Sequence, residues 1–320
     1  MSKQIPPITT TFINLQSDFE FKRAFGTKKF QNNVINLLNA ALGDEIDIKR
    51  IVPYKGLSNE NSEDSVLYHN KEIIPGDEDG KRIIYDVYFT LKLHKDSSIF
   101  KPHHIMKEKR NENVEHHFIL EMQNVYTPPF EDRMTYYVAK MLSNQGRVGW
   151  NYDLDPVVLM AITDFDFPYL SPQMTQEFEL REKTTGESLT KKLRMIFYSL
   201  NQVPEDWDSC KSELQKRLYI IKNIEKMGTD SKPYLDGGYD DLFESAASNN
   251  VVGEDAVLYS QSLAYLREVQ AGLDYRFDEG IKEGREQERL EMAQKMKDAG
   301  TSSDFIAQIT GLSIDIINKI

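Results

Sequence analysis

The chain of 320 residues is 40% hydrophobic, enough for a sizeable core and, by its length, for about two domains. Its net charge of −12 lies wholly in residues 151–320, because residues 1–150 hold 20 basic and 20 acidic side chains, so it is the second half that is excluded from gripping DNA through non-specific charge. One cysteine, Cys210, excludes an intramolecular disulfide and a cysteine-rich zinc module, and no secretory leader or run of membrane-spanning length is present, so a soluble, cytoplasmic protein with no membrane partner is expected.

Residues 1–16 are polar and rich in Pro and Thr, an irregular arm. In SDFEFKRAFG, Ser17 followed three residues later by Glu20 is the capping-box pattern that opens a helix, and Asp18 suits its dipole. The helical period runs on through FQNNVINLLNAALG, with Phe30, Val34, Leu37, Leu38, Ala41 and Leu42 on one face and Gly43 as a stop, so a single continuous helix is expected. IDIKRIVPY alternates as a strand, and residues 56–80 form an acidic loop. RIIYDVYFTLKL, 82–93, alternates again. Ile83, Tyr85, Val87, Phe89 and Leu91 fall on one face, and Ile84, Asp86, Tyr88 and Thr90 on the other.

A polar loop over 94–116 leads to HHFILEMQNVY, the expected antiparallel hairpin partner. There Phe118, Leu120 and Met122 alternate with Ile119, Glu121 and Gln123. After Pro128 and Pro129 a helix resumes in FEDRMTYYVAKMLSNQG, and PVVLMAITDF, 156–165, is the continuous apolar run of a strand buried on both faces. Beyond residue 170, QEFELRE and LRMIFYSL read as strands and much of 208–228 and 254–298 as helix. GIKEGREQERLEMAQKMKDAG reads as an exposed helix that Gly280 and Gly284 weaken by roughly 1 kcal/mol each and could hinge. TSSDFIAQITGLSIDIINKI reads as two short helices joined at Gly311, with Ser313 as a cap.

Asp86 and Glu121 thus place two carboxylates in neighbouring apolar strands, with Gln123 pointing the same way as Glu121. A buried carboxylate without a partner is costly or takes up a proton. Two that converge at a strand edge hold a hard divalent cation such as magnesium, which prefers carboxylate oxygen and keeps waters for bridging to phosphate. The alternative is a hairpin whose polar face is covered by Lys or Arg from elsewhere.

The order helix, three strands, helix, strand, with Asp on the second strand and E-x-Q on the third, resembles the PD-(D/E)XK nuclease superfamily. Within it the chain is similar to the bacterial Rpn family of recombination-promoting nucleases and transposases. DFEFKRAFG, YDVYF, FILEMQ, FEDRMTYYVAKMLSNQG and LDPVVLMAITDF carry the resemblance over residues 17–166, and the tail with GIKEGREQE also looks like that group. The resemblance implies an α/β fold with a restriction-endonuclease-like core, an αβββαβ mixed sheet flanked by helices, at 17–170. Accessory strands and helices would follow at 171–276, then a charged helical tail at 277–320 with a helix-turn-helix-like end.

The implied activity is that of a metal-dependent DNA endonuclease using magnesium, with manganese as a substitute, whose breaks feed recombination or transposition. Asp86 and Glu121 would be the metal ligands, with the Met122 carbonyl as a further one. Gln123 stands where the superfamily has Lys; it can orient water but brings no charge, so a lysine from elsewhere would have to substitute. Arg133, Tyr136, Tyr137 and Lys140 recur at helical spacing on the next helix and can share a face toward the scissile phosphate, or pack on the sheet. Asp18 or Glu20 would be the acid contributed by the first helix, with Lys22 as a phosphate contact; capping and dipole compensation account for the same two acids.

Other signals carry less. All six histidines fall between His69 and His117, and the adjacent pairs His103–His104 and His116–His117 lack zinc-ligand spacing, so a solvated loop is expected. Its Lys101, Lys107, Lys109 and Arg110 are nearly cancelled by Asp96, Glu108, Glu112 and Glu115. The terminal helices, with Asp304 and Asp315 and few basic residues, suit packing or docking of a second copy or a protein partner better than a major groove. Cys210 has no base beside it. Two rivals stay open: a catalytically inactive nuclease-like fold that binds DNA or protein, and a regulator acting through residues 278–320.

Overall fold

A computed structural model of the chain describes residues 9–42, 85–94, 113–146 and 154–320. The strand expected in IDIKRIVPY, the Gly43 stop, the acidic loop and most of the histidine-bearing loop lie outside them. The N-terminal helical pattern is two helices rather than one: α1 (Asp18–Gly26) and α2 (Gln31–Leu42). The Ser17 hydroxyl caps α1 by accepting from the Glu20 N–H at 3.2 Å. Thr27 then leaves helical geometry at φ −108°, and its hydroxyl donates to the Arg23 carbonyl at 2.8 Å. The apolar period continues across this break, but a side-chain donor satisfies the last turn and lets the helix end.

Strands β1 (Val87–His94) and β2 (Asn113–Gln123) pair antiparallel from Val87–Leu120 to His94–Asn113. Part of the expected loop is therefore ladder. His116 and His117, expected in solvent, are buried at 1% and 7% exposure because β2 carries them inside. The Tyr88 hydroxyl meets His117 Nδ1 at 2.6 Å.

Then come α3 (Phe130–Ser143), β3 (Val157–Thr163), β4 (Thr175–Glu179) and β5 (Leu193–Ser199). The sheet order is β1-β2-β3-β5-β4, with the inner pairs β2–β3 and β3–β5 parallel and the outer pairs antiparallel. Helices α4 (Glu213–Asn223), α5 (Lys232–Asp236) and α6 (Asp240–Ala246) follow.

One sheet face packs Phe89, Phe118, Leu120 and Met160 against Phe21 and Phe25 of α1, Leu38 of α2, Leu218 of α4 and Phe243 of α6. Phe89 and Phe118 lie opposite each other in the ladder and stack with centroids 5.3 Å apart. The other face packs Ile119, Leu159 and Phe197 under Phe130, Met134 and Val138, a stripe of α3 at intervals of one turn. β3 is buried at every position, as its unbroken apolar run demands of a central strand. The result is the mixed sheet flanked by helices expected of a restriction-endonuclease-like core. Leu159→Ala, at the centre of β3, is expected to cost about 2–5 kcal/mol, read as a lower urea midpoint with an unchanged slope.

The chain divides into two compact units, Met1–Leu263 and Ala264–Ile320. Helix α7 (Glu254–Asp298) is one element throughout; Gly280 and Gly284 do not break it, and a Cβ at either would meet open space. In the second unit, α8 (Ser303–Thr310) and α9 (Ile314–Lys319) gather Ile306, Leu312 and Ile317 around Ala293. Gly311 turns between them at φ +71°, where a side chain would be strained, and the Ser313 hydroxyl caps α9 by accepting from the Ile316 N–H. No helix among the described residues is long and apolar enough to cross a membrane.

Candidate metal centre

Asp86 stands one residue before β1, at a bend, and not within the strand as simple alternation suggests. The bend breaks the period. Tyr85, expected beside Val87 and Phe89, turns instead to the α3 face, where its ring meets Tyr137 edge-on at 5.3 Å and its hydroxyl donates to the Tyr137 carbonyl at 3.2 Å.

Beyond the Val87–Leu120 pair the ladder stops and the two carboxylates take up the free main-chain donors. The Asp86 N–H donates to Glu121 Oε1 at 3.1 Å, and the Met122 N–H donates to Asp86 Oδ2 at 2.9 Å. These crossed links hold the acids together at the end of β2. Glu121 is 2% exposed and the Asp86 side chain 14%.

Positive charge reaches them from two helices. Lys22 of α1 places Nζ 3.5 Å from Asp86 Oδ1 and 2.5 Å from Asp18 Oδ1, one turn back on its own helix. Arg133 of α3 donates through Nη2 to Gln123 Oε1, while Gln123 Nε2 lies 3.4 Å from Glu121 Oε2. The Arg133 guanidinium also lies over the Phe130 ring at 5.6 Å. The two carboxylates thus converge, and Lys and Arg from elsewhere attend them.

Burial pushes the Glu121 carboxyl well above its usual range, and the Asp86 charge adds to the effect against the pull of Lys22 and Arg133. Asp86 is raised by burial too, opposed by Lys22 and the Met122 N–H. Burial alone would lower Lys22, but Asp86 and Asp18 outweigh it and hold the amine above its usual value, so it stays an ammonium. Tyr137 is pushed up to about 12, first by burial and then by Glu121, and stays a neutral phenol.

Asp86, Glu121, Met122, Gln123, Lys22, Asp18, Arg133 and Tyr137 therefore share one neighbourhood. Tyr136 is 43% exposed, and neither it nor Lys140 makes a hydrogen bond or ion pair with the two carboxylates. Glu20, weighed as the first-helix acid, is turned away. It is fully buried against Arg23 through contacts of 2.7 and 3.0 Å, and burial pushes it up to about 8. That pairing also leaves the reciprocal half of the capping box unmade.

Sequence reading missed the struts behind α1. Asn124 Nδ2 donates to the Gln16 carbonyl at 2.8 Å, and Gln16 Nε2 donates to the Lys222 carbonyl at 3.1 Å. They tie the segment before α1 to the end of β2 and so set where Lys22 stands. Contacts spanning 108 and 206 residues leave no mark in local periodicity.

The donor chemistry suits a hard divalent cation, since both side chains that converge here are carboxylates. Among the described residues no three His, Cys, Asp or Glu side chains gather as ligands, so the remaining positions would fall to water and phosphate, as magnesium's reluctance to shed water allows.

Neither the curated proteins nor the solved structures yield a match. The family model described as PD-(D/E)XK nuclease family transposase matches residues 104–276, which run from β2 into α7 and carry Glu121, Gln123 and Arg133; Asp86 and α1 precede the matched segment. With more than half its length matched, the chain belongs to the PD-(D/E)XK nuclease family transposases.

Proposed function

We propose that the protein is a divalent-metal-dependent DNA endonuclease in which Asp86, Glu121 and the Met122 carbonyl hold magnesium, or manganese in its place. The observation that carries this reading is the pair of carboxylates, Glu121 buried and Asp86 partly buried, locked by crossed main-chain hydrogen bonds at the end of β2. A metal bound there supplies Lewis-acid polarisation of the phosphodiester and a more acidic water.

The chain's own groups do the rest. Arg133 occupies the Gln123 carbonyl oxygen, which turns the amide nitrogen toward Glu121, where it can hold a water but adds no charge. The charge that a motif lysine would bring comes from Lys22 and Arg133. Phosphodiester hydrolysis leaves nicked or broken DNA, the substrate on which recombination or transposition acts in a bacterial cytoplasm.

Purified protein is expected to convert supercoiled plasmid to the nicked form in magnesium or manganese and to leave it intact in EDTA. Folded protein that nicks no DNA substrate in either metal would overturn the reading. It would favour the rival in which an uncharged Gln123 marks a fold that only binds.

A further inference from the structure

All four carboxylate oxygens of the Asp86–Glu121 pair already face a donor. Oδ2 of Asp86 takes the Met122 N–H and Oε1 of Glu121 takes the Asp86 N–H. These two are main-chain groups at the ends of paired strands and cannot withdraw without moving the sheet. Oε2 of Glu121 faces Gln123 Nε2 across a long 3.4 Å, and Oδ1 of Asp86 faces the Lys22 ammonium at 3.5 Å. A divalent cation competes with the movable donors, and of these only Lys22 carries the same charge sign as the metal.

Lys22 also has somewhere to go. Its Nζ is already nearer to Asp18 Oδ1, at 2.5 Å, than to Asp86, and Asp18 lies one turn back on α1 with its side chain 60% exposed. The flexible four-carbon stem lets the ammonium swing outward while α1 stays in place.

We propose that Lys22 is the resident counter-ion of the carboxylate pair and yields to the metal by withdrawing onto Asp18, so that the Asp18–Lys22 pair sets the metal affinity of the site. Asp18 is then a positioning residue, not a ligand. This rests on the metal-dependent reading above and assigns the first helix a specific part in it. The Lys22 ammonium attends Asp86 until a metal takes its place, and its retreat keeps a cation at the rim where phosphate approaches.

The test is manganese binding to the full chain, by calorimetry and by loss of the free-ion electron paramagnetic resonance signal, with no DNA present. Lys22→Gln is expected to bind manganese roughly tenfold more tightly than the wild type, because the ion no longer displaces a cation. Asp18→Asn, a change at an exposed carboxylate, is expected to bind several-fold more weakly, because Lys22 loses its retreat. The double variant Asp18→Asn/Lys22→Gln is expected to match Lys22→Gln, since Asp18 has no Lys22 left to hold.

Unchanged or weaker binding by a folded Lys22→Gln protein overturns the proposal. So does an equal loss from Asp18→Asn in both backgrounds, which is the signature of plain charge removal. Absence of binding in the wild type and every variant overturns the metal-dependent reading itself, an outcome distinct from the other two.

Discussion

Asp86→Ala is expected to lower metal-dependent plasmid nicking by roughly three orders of magnitude, the scale seen when one preorganised electrostatic contact to a reacting centre is removed, while circular dichroism stays that of the wild type. The loss follows from geometry. Asp86 lies at the bend before β1, and its two oxygens divide between the Met122 N–H and Lys22, so no other described carboxylate can replace it beside Glu121. Stability moves in two opposing directions. The Met122 N–H loses its acceptor, at about 1–3 kcal/mol if it stays buried, while Glu121 is freed of a like charge. Asp86→Asn keeps an oxygen for Met122 and separates the two effects: its fold should hold at least as well as that of the alanine variant, with nicking equally lost. Nicking retained by either variant would remove Asp86 from the metal centre. Because Asp86 precedes the segment that matches the family, this result tests a ligand that the match itself does not cover.

Legibility in the sequence followed the range of the forces involved. Local signals held where the interaction is local: Ser17 and Ser313 cap their helices, Gly311 takes the left-handed turn, and PVVLMAITDF is buried along its strand because a parallel central strand tolerates no polar face. The E-x-Q pattern placed Glu121 and Gln123 at the end of β2 since strand alternation is strict inside a ladder. Alternation misled at Tyr85, where the ladder has ended and an aromatic contact with α3 decides which way the ring turns. Glu20 misled for a related reason. The capping-box spacing is satisfied in sequence, yet Arg23 offers the same carboxylate a charged, bidentate partner in a buried setting, which outweighs a single main-chain donor. Polarity alone predicts a loop at His116 and His117, whereas pairing with β1 draws both inside, and the Tyr88 hydroxyl makes His117 tolerable there. The placement of Arg133 on Gln123 and of Lys22 on Asp86 depends on how α3 and α1 pack across opposite sheet faces. Helical spacing alone named both residues without showing which acid each would meet.

Glu121→Gln is expected to abolish nicking and, in EDTA, to make the protein more stable. In the metal-free fold the Glu121 carboxyl is raised well above its usual value by burial and by Asp86. The native state therefore holds that proton more readily than the unfolded chain. The contribution to stability is complete below the ordinary glutamate value of about 4.3 and is lost as pH rises through the folded value. Glutamine keeps an oxygen for the Asp86 N–H and has no charge to bury, so its contribution does not change over that window. Glu20, also raised by burial, titrates in both proteins and cancels in the comparison. In EDTA the variant's advantage should be small near pH 5 and grow to on the order of 1 kcal/mol or more by pH 8, about 2–4 °C in Tm for a domain of this size. Magnesium should reverse the order, because only the wild type gains stability by binding it. A variant that melts below the wild type at pH 8 in EDTA would mean that Glu121 is already well compensated by Lys22 and Arg133, and that the site is a structural ion-pair network. A variant that melts higher, yet neither nicks DNA nor responds to magnesium, would identify a carboxylate held at a cost to the fold, which a metal offsets.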